Sequence, residues 1–374
     1  MSAVFPESWK PLKTILAHDW LTGMRGGEKV LELLCDGFPR APIYTLLHNP
    51  GSVSKRIARH PIHTSWLQTI PKVERHYRYF LPFFPSAIER FRLPEADLLI
   101  STSHCVAKGI RPAPGTKHIC YCFTPMRYAW TFYEDYFGRN PLKKILLQPT
   151  LAALRSWDRR ASQRVDRFVA ISHHVSDRIR RFYERDCDVV YPPVDTHFYT
   201  PGPAGHDHFD LITSALVPYK RLDIAIEAYS QLGWPLKIVG TGTELNALQA
   251  KAAPNIQFLG WLPDEQVREL YRQCRLLVFP GEEDFGIVPV EAQACGKPVV
   301  AFRRGGVIET VVEGHTGVFF DAQAPEALLQ AVKECSVMPW NSTSIRQNAE
   351  RFSTQKFLDG LNHSIQKCLS SLTA

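Results

Sequence analysis

The chain has 374 residues, of which 45% are hydrophobic and 22% are charged, so it can bury an ordinary globular core. Its length favours two domains of about 150–200 residues, and no apolar run is long enough to cross a bilayer. The net charge of +7 suits nucleic acid, anionic lipid or a phosphorylated substrate and does not choose among them. Nine scattered cysteines without zinc spacing indicate reduced thiols in a cytoplasmic protein, and the N-terminus does not have the pattern of a signal peptide.

In the N-terminal half, short apolar strands alternate with helical patterns. Strands are predicted at LKTILAHDW (12–20), ADLLIST (96–102), KHICYC (117–122) and RFVAIS (167–172). The helix EKVLELLCDGF follows the first strand after a glycine-bearing loop, and the basic helix HHVSDRIRRFYERD follows the last. Short apolar strands separated by helices predict a parallel sheet that is covered on both faces.

Prolines and glycines interrupt this alternation at VVYPPVDTHFYTPGPAGHDHFD (189–210), the predicted linker. A more regular series of strands and helices then runs from DLITSAL to PVVAF, and the tail STQKFLDGLNHSIQKCL (353–369) is a predicted helix. We expect two Rossmann-like, doubly wound α/β domains, 1–195 and 196–352, with a C-terminal segment, 353–374, whose helix packs back on the first domain. Ligands in such sheets bind beyond the carboxyl ends of the strands, so the cleft between the domains is the expected site.

The most informative stretch is FPGEEDFGIVPVEAQACGKPVVAF, which carries Glu283 and Glu291 eight residues apart. It predicts a buried strand followed by a helix whose first turn contains Pro289. Free N–H groups at that helix start can hold a phosphate or sugar oxygen, and a glycine there lets a ligand approach the backbone. Acidic residues near a helix N-terminus also stabilise its dipole by roughly a few tenths of a kcal/mol. That effect, or solvent, would account for Glu282 and Asp284.

This stretch resembles the E-x7-E signature of family-4 retaining glycosyltransferases, which have the GT-B fold, and the resemblance covers nearly the whole chain. It implies that Glu283 contacts the donor sugar and that Glu291 binds the nucleotide ribose. Asp284 stands where the family more often has glycine. The backbone that would meet the sugar and the diphosphate belongs to Phe285, Gly286, Ile287 and Val288.

Two further segments resemble diphosphate-binding parts of the family. In SALVPYKRLDIAIEAY, Lys220 matches a diphosphate-binding lysine, whereas Ala215 stands in the place of an arginine. We expect Arg221 to supply the missing charge, although both basic residues would also suit a solvated helix start. LTGMRGGEKVLELL resembles the N-terminal Gly-Gly loop, so Gly26 and Gly27 would let backbone N–H groups face the diphosphate. A Gly-Gly pair by itself more often marks a turn.

Three segments resemble other parts of the family's site. STSHCVAKG places His104 just past a strand end, where the family has a histidine at the donor sugar; a structural histidine is the alternative. NIQFLGWLPDEQ would put the backbone of Trp261 and Leu262 near the nucleobase. CYCFTPMRYAWTFYEDYF matches the acceptor side loosely, and its Arg127 would bind an acceptor phosphate or form a surface salt bridge.

The segment HYRYFLPFFPSAIERFR (76–92) mixes aromatic and basic residues. Such a mixture suits a membrane interface, since these side chains combine an apolar body with a polar tip. A proline-rich loop whose aromatic rings fill the core explains the same composition equally well. The sequence does not decide between the two.

The resemblance implies a retaining hexosyltransferase with His104, Glu283 and Lys220 as catalytic residues and no cofactor. No Asp-x-Asp motif is evident, which agrees with a metal-independent enzyme. The chain looks closest to bacterial mannosyltransferases of polysaccharide and O-antigen assembly. We therefore expect GDP-mannose as donor and a lipid-diphosphate-linked saccharide as acceptor, with the protein in the cytoplasm or peripheral on the cytoplasmic face of the inner membrane.

Several alternatives stay open at this point. A GT-B enzyme with UDP-glucose or another UDP-sugar as donor, or a GT-B nucleotide-sugar epimerase, would share most of these motifs. A phosphorylase would need a pyridoxal-phosphate lysine site that no segment resembles. A non-catalytic protein of nucleic acid or lipid surfaces would fit the charge, but its basic residues are spread rather than clustered and it leaves the helix start unexplained, so nucleic acid is not an expected partner.

Overall fold

The computed structural model describes residues 4–130, 141–203 and 209–370, without the side chains of Arg75 and residues 141–145. Gly205 of the predicted linker and residues 131–137 of the predicted acceptor segment lie outside the described residues. The chain divides into two compact units. We call Pro192–Lys356 the C-terminal unit, and the residues up to Tyr191 together with those from Phe357 the N-terminal unit. The domain limits at residues 195 and 352 stay predictions.

The N-terminal unit is built on a parallel sheet of seven described strands in the order β3-β2-β1-β4-β5-β6-β7. The order reverses between β1 and β4, so the loops after these two strands diverge and leave a crevice. β4 and β5 are almost wholly buried, which explains their continuous apolar runs. The strand bounds are β1 Thr14–His18, β2 Ile43–Thr45, β3 Ile62–Thr64, β4 Leu98–Ser103, β5 Lys117–Cys122, β6 Arg167–Ala170 and β7 Cys187–Val189.

The longer helices of this unit are α1 (Gly26–Gly37), α2 (Pro141–Ser162) and α3 (His173–Tyr183). The side chain of Ser172 caps α3 by accepting a hydrogen bond from the backbone N–H of Val175. Shorter helical segments, most of them in the connections between strands, are Glu7–Trp9, Lys55–Ala58, Trp66–Thr69, Val73–His76, Tyr77–Phe83, Phe84–Glu89, Ala107–Gly109 and Arg127–Trp130.

The C-terminal unit contains a second parallel sheet, of six described strands in the order β10-β9-β8-β11-β12-β13. Its order reverses between β8 and β11, as the order of the first sheet does between β1 and β4. The strand bounds are β8 Asp210–Thr213, β9 Leu236–Val239, β10 Ile256–Gly260, β11 Leu277–Phe279, β12 Val299–Phe302 and β13 Gly317–Phe320.

The helices of the C-terminal unit follow the predicted alternation. They are α4 (Leu222–Leu232), α5 (Asp264–Gln273), α6 (Ile287–Ala294), α7 (Pro325–Val337) and α8 (Ser342–Glu350), with short segments at Pro218–Lys220, Leu245–Gln249 and Val307–Thr310. The last helix, α9, runs from Thr354 to Ser370. From Phe357 onward it packs in the N-terminal unit, where the Phe357 ring meets Tyr121 edge-on at 5.4 Å and Ser364 donates to Asp188 at 2.8 Å.

The predicted linker is largely a packed segment where the structure describes it. Val194 and Tyr199 are buried in the C-terminal unit. The guanidinium of Arg346 donates to the backbone oxygens of Thr196 and Tyr199 at 2.8 and 2.9 Å. Prolines here stiffen a strap that lies on the C-terminal unit. Within the described residues, no helix combines the length and apolar character needed to span a membrane.

Candidate functional site

In the C-terminal unit, the loops after β8 and β11 bring two predicted site residues together at the reversal of strand order. The ammonium of Lys220, in the loop after β8, forms an ion pair with the carboxylate of Glu283, in the loop after β11. Their side chains are 12% and 28% exposed. The pair is therefore partly shielded from bulk water, which strengthens the attraction between the two charges, and it is still accessible.

Glycines that sequence reasoning missed hold this loop in place. A side chain at Gly281 would lie 2.9 Å from the Cα of Lys220, and one at Gly305 would lie 2.2 Å from the carbonyl oxygen of Glu283. Gly306 donates its backbone N–H to that same carbonyl at 2.8 Å. The Gly305-Gly306 pair after β12 was the available signal, because a glycine pair after a buried strand allows two backbones to approach closely.

The helix predicted after the acidic residues is α6, and it begins at Ile287 after Gly286. Gly286 has φ of +91°, a conformation that strongly favours glycine. Phe285 is buried and packs against the ring of Phe352 at 5.6 Å, which fixes the entry of the chain into the helix. The structure thus places Phe285, Gly286, Ile287 and Val288 at a helix start beyond the carboxyl end of β11, in agreement with the strand and helix that the residue pattern predicted.

Glu291 lies in the second turn of α6 and is only 8% exposed. Its carboxylate accepts a hydrogen bond from the Tyr271 hydroxyl at 3.0 Å. Burial, and after it the charge of Glu291, raises the pKa of Tyr271 and of Tyr199, so both tyrosines keep their protons as donors. A carboxylate has about four acceptor positions, so Glu291 can hold the tyrosine and accept further hydroxyl groups.

Arg221 is engaged within its own loop. It has φ of +53°, uncommon for a residue with a side chain. Its guanidinium forks onto the Asp223 carboxylate with two contacts of 3.0 Å and also donates to Gln323 at 3.2 Å. Ala215 is exposed in the preceding loop. For Arg221 to replace the arginine missing at Ala215, its side chain would have to turn away from Asp223.

Trp261 and Leu262 follow β10, the edge strand of this sheet. Trp261 is 74% exposed, and Leu262 lines a groove of about 550 Å³ that runs along β9, β10 and α5.

The expectation for Asp284 needs a correction. Its side chain is buried, at 6% exposure, so contact with solvent does not explain why an acidic residue stands at this position.

In the N-terminal unit, Asp19 and His104 meet at the reversal between β1 and β4. The Asp19 carboxylate is fully buried, and His104 Nδ1 lies 3.0 Å from its Oδ2. Burial alone would raise the pKa of Asp19, but the charge and hydrogen bonds of His104 hold that pKa well below its usual value. Asp19 also accepts the backbone N–H groups of His104, Cys105, Val106 and Ala107 at 2.6–2.9 Å.

Asp19 thus fixes both the loop and the ring that the resemblance places at the donor sugar. The His104 side chain is 29% exposed and stands edge-on to Trp20 at 4.6 Å. Sequence reasoning missed Asp19, although a charged residue directly after the apolar strand TILAH was a signal for a buried, hydrogen-bonded carboxylate.

A second buried pair lies at the start of α1. His18 Nδ1 forms a hydrogen bond of 2.7 Å with Thr102 Oγ1, and His18 Nε2 is 3.9 Å from the Glu28 carboxylate. Burial would raise the pKa of Glu28, but the neighbouring His18 lowers it below its usual value. Glu28 also accepts the backbone N–H of Arg25 at 3.1 Å. Through these contacts the pair stabilises the end of the predicted Gly-Gly loop.

Gly26 is the first residue of α1 and Gly27 the second. A side chain at Gly27 would lie 3.2 Å from the Phe123 ring, so glycine permits the close approach of that ring. Arg127, the predicted acceptor residue, begins a short helix after β5 and is half-buried.

The chain matches two models of glycosyltransferase families. Residues 24–198 match "Glycosyltransferase Family 4" and residues 202–352 match "Glycosyl transferases group 1". An uncharacterized glycosyltransferase of Methanocaldococcus jannaschii is 28% identical over 52% of this chain and 56% of its own. A D-inositol 3-phosphate glycosyltransferase of Segniliparus rotundus is 29% identical over 54% of this chain and 53% of its own. The chain thus spans about half the length of the curated relatives it matches.

The fold is similar to that of a solved structure over almost its full length. Anabaena HepE, in complex with UDP, superposes with a TM-score of 0.69 at 19% identity, over 96% of this chain and 100% of that chain. Two parallel, doubly wound sheets together with this likeness confirm the GT-B α/β fold. The N-terminal part of the chain thus matches the family-4 glycosyltransferases, and the C-terminal part matches the group 1 type.

Proposed function

We propose that the protein is a retaining, metal-independent hexosyltransferase that uses a nucleotide-diphosphate sugar. The observation that carries this proposal is the Lys220–Glu283 pair, which lies beside the start of α6 at the β8/β11 reversal. A lysine ammonium and the free N–H groups of a helix start both favour a diphosphate. Stabilising the charge of a leaving diphosphate in this way is the main contribution expected in sugar transfer.

The predicted catalytic residues and Glu291 each receive a role within their own unit. Lys220 neutralises the diphosphate, Glu283 orients the donor sugar, and Glu291 accepts hydrogen bonds from the ribose hydroxyls. His104 is proposed to contact the donor sugar, and Asp19 is a positioning residue for it. Glu283 is not proposed as a nucleophile, since the leaving phosphate itself can deprotonate the acceptor.

We propose GDP-mannose as donor and a lipid-diphosphate-linked saccharide of cell-surface polysaccharide as acceptor. The alternative is a UDP-sugar donor, and the complex of the similar Anabaena HepE with UDP favours it. A panel of GDP, UDP and their sugars in a thermal-shift assay separates the two, because the ligand that binds the folded state raises the melting temperature. An epimer formed from nucleotide sugar without acceptor would refute a transferase.

The ribose role of Glu291 has a direct test. Glu291→Ala should raise the KM for the donor at least about tenfold, since it removes a hydrogen-bonding group worth about 1.5–3 kcal/mol. Glu334→Ala is the matched control, because Glu334 is an exposed carboxylate on α7 of the same unit and does not line the groove beside Leu262. Equal donor kinetics in both variants would remove the ribose role.

A further inference from the structure

The connection from Trp66 to Arg92 in the N-terminal unit exposes large aromatic side chains. Among the described residues, the exposed large hydrophobic side chains include four aromatic ones, and three belong to this connection: Trp66, Tyr79 and Phe83, at 36%, 83% and 52% exposure. The fourth, Trp261, lies in the other unit. Aromatic exposure is therefore concentrated in one short part of the chain.

These exposed rings are not needed to fill the core. Tyr77 and Phe84, from the same connection, are buried and pack against Trp20 with ring centroids at 5.1 and 6.1 Å. Leu81, which lies between these two residues in the sequence, is also buried. One set of apolar side chains in this connection is thus buried and a second set is exposed, so filling of the core explains only the first set.

The same connection carries exposed basic side chains. Lys72, Arg78 and Arg90 are all exposed, and the Arg90 guanidinium lies 5.8 Å from the centre of the Trp66 ring. Trp66 and Phe83 are edge-on neighbours at 6.4 Å.

A nearby acidic residue does not neutralise this surface. The carboxylate of Glu89 is engaged by Arg111 at 2.7 Å and by Arg164 at 2.6 Å. Its charge is thereby compensated by residues from other parts of the unit.

We propose that this aromatic–basic patch, formed by Trp66, Lys72, Arg78, Tyr79, Phe83 and Arg90, docks the protein on an anionic lipid bilayer. Tryptophan and tyrosine rings settle at the headgroup level, and lysine and arginine are attracted by anionic headgroups. This inference deepens the proposed function and rests on it, because a lipid-linked acceptor would lie in such a bilayer surface. Lipid binding itself needs no sugar transfer.

The test uses the full chain and sucrose-loaded vesicles. The protein should sediment with phosphatidylcholine vesicles that contain about 30% phosphatidylglycerol, more weakly with pure phosphatidylcholine, and less as salt increases. Trp66→Ala/Phe83→Ala should lower the partition coefficient on the order of tenfold. Arg90→Gln should lower it about fivefold on the anionic vesicles. Val312→Ala/Val337→Ala, at exposed apolar positions of the other unit, is the control and should bind as the wild type does.

Several results would overturn the proposal. These are absence of sedimentation, equal binding to neutral and anionic vesicles, equal losses in the control, or retention on DNA without binding to vesicles. Melting curves of each variant show whether a loss reflects unfolding, and because Arg90→Gln changes an exposed side chain, it keeps the test valid if the double variant unfolds. A protein that transfers sugar but ignores vesicles refutes the patch alone. A protein that binds vesicles but does not turn over nucleotide sugars refutes the proposed function alone.

Discussion

Replacing Asp19 with asparagine should destabilise the N-terminal unit strongly. Each carboxylate oxygen of Asp19 accepts two backbone N–H groups of the 104–107 loop, at 2.6 and 2.9 Å for one oxygen and 2.7 Å twice for the other. An asparagine keeps one oxygen and presents an NH₂ group at the other position. Two buried N–H groups would then face a donor instead of an acceptor.

The magnitude follows from this geometry. Hydrogen bonds to a charged group contribute about 1.5–3 kcal/mol each but do not add fully when they share one acceptor. Breaking a buried charged network by changing one partner costs roughly 3–5 kcal/mol. For a unit of this size, about 2–4 °C of melting temperature corresponds to each kcal/mol, so the transition should fall by about 6–20 °C.

The dependence on pH gives a second signature. Because the pKa of Asp19 is depressed in the folded chain, its charge stabilises the fold above the unfolded pKa of about 3.9. That contribution is lost as the pH falls below about 4, by about 1.4 kcal/mol for each pH unit. Urea unfolding followed by tryptophan fluorescence is a suitable assay, since Trp20 packs against His104 at 4.6 Å. The difference in the free energy of unfolding between wild type and Asp19→Asn should therefore become smaller as the pH falls below about 4.

Asp36→Asn is the matched control, since Asp36 pairs with Arg56 at the surface over 3.1 Å. A surface pair contributes about 0–1 kcal/mol, so this variant should melt close to the wild type. If Asp19→Asn melts within about 2 °C of the wild type, or if the gap stays constant from neutral pH into acid, the carboxylate does not hold the loop as argued.

Three further predictions concern other parts of the fold. Gly306→Ala places a Cβ 2.4 Å from the Asp284 carbonyl oxygen, so it should displace the acidic loop and weaken donor binding. Gly23→Ala, whose Cβ would meet nothing within 4 Å, should leave donor binding unchanged. Titration calorimetry with the nucleotide sugar distinguishes the two variants. Lys108→Met should cost roughly 3–5 kcal/mol in urea unfolding, because it leaves the fully buried Asp158 without its cation, and adding Asp158→Asn should recover part of that loss. Asp223→Ala releases Arg221, so it should tighten nucleotide-diphosphate binding if Arg221 compensates for the arginine missing at Ala215; unchanged binding would reject that compensation.

The fold was predictable wherever burial leaves a continuous apolar run. The strand predicted at KHICYC coincides with β5 (Lys117–Cys122), because a strand covered on both faces has few polar interruptions. The three-residue strands β2 (Ile43–Thr45) and β3 (Ile62–Thr64) were not predicted. Each contains polar residues among only three positions, so it lacks the wholly apolar run that marked the equally short β11 (Leu277–Phe279).

The candidate site was predictable only in its local parts. The spacing of Glu283 and Glu291 and the glycine before α6 are visible in consecutive residues. The contacts that hold the site join distant parts of the chain: Asp19 with the loop at His104, and Gly305 with the carbonyl of Glu283. Such contacts depend on which strands are neighbours in the sheet, and a single sequence does not specify that order.

The carboxylates at the two reversals of strand order differ in burial and in partners. This difference separates a carboxylate that positions a loop from one that can bind a ligand. Asp19 is fully buried and shares its charge among four backbone N–H groups and His104, so no ligand can take it without unfolding the loop. Glu283 is 28% exposed and is paired with Lys220, a long side chain on an adjacent loop. A diphosphate that reaches Lys220 would compete with Glu283 for the same ammonium and release the carboxylate towards a sugar hydroxyl. Under the proposed function, the ion pair is thus the resting form of the site, and donor binding exchanges one anion for another at Lys220.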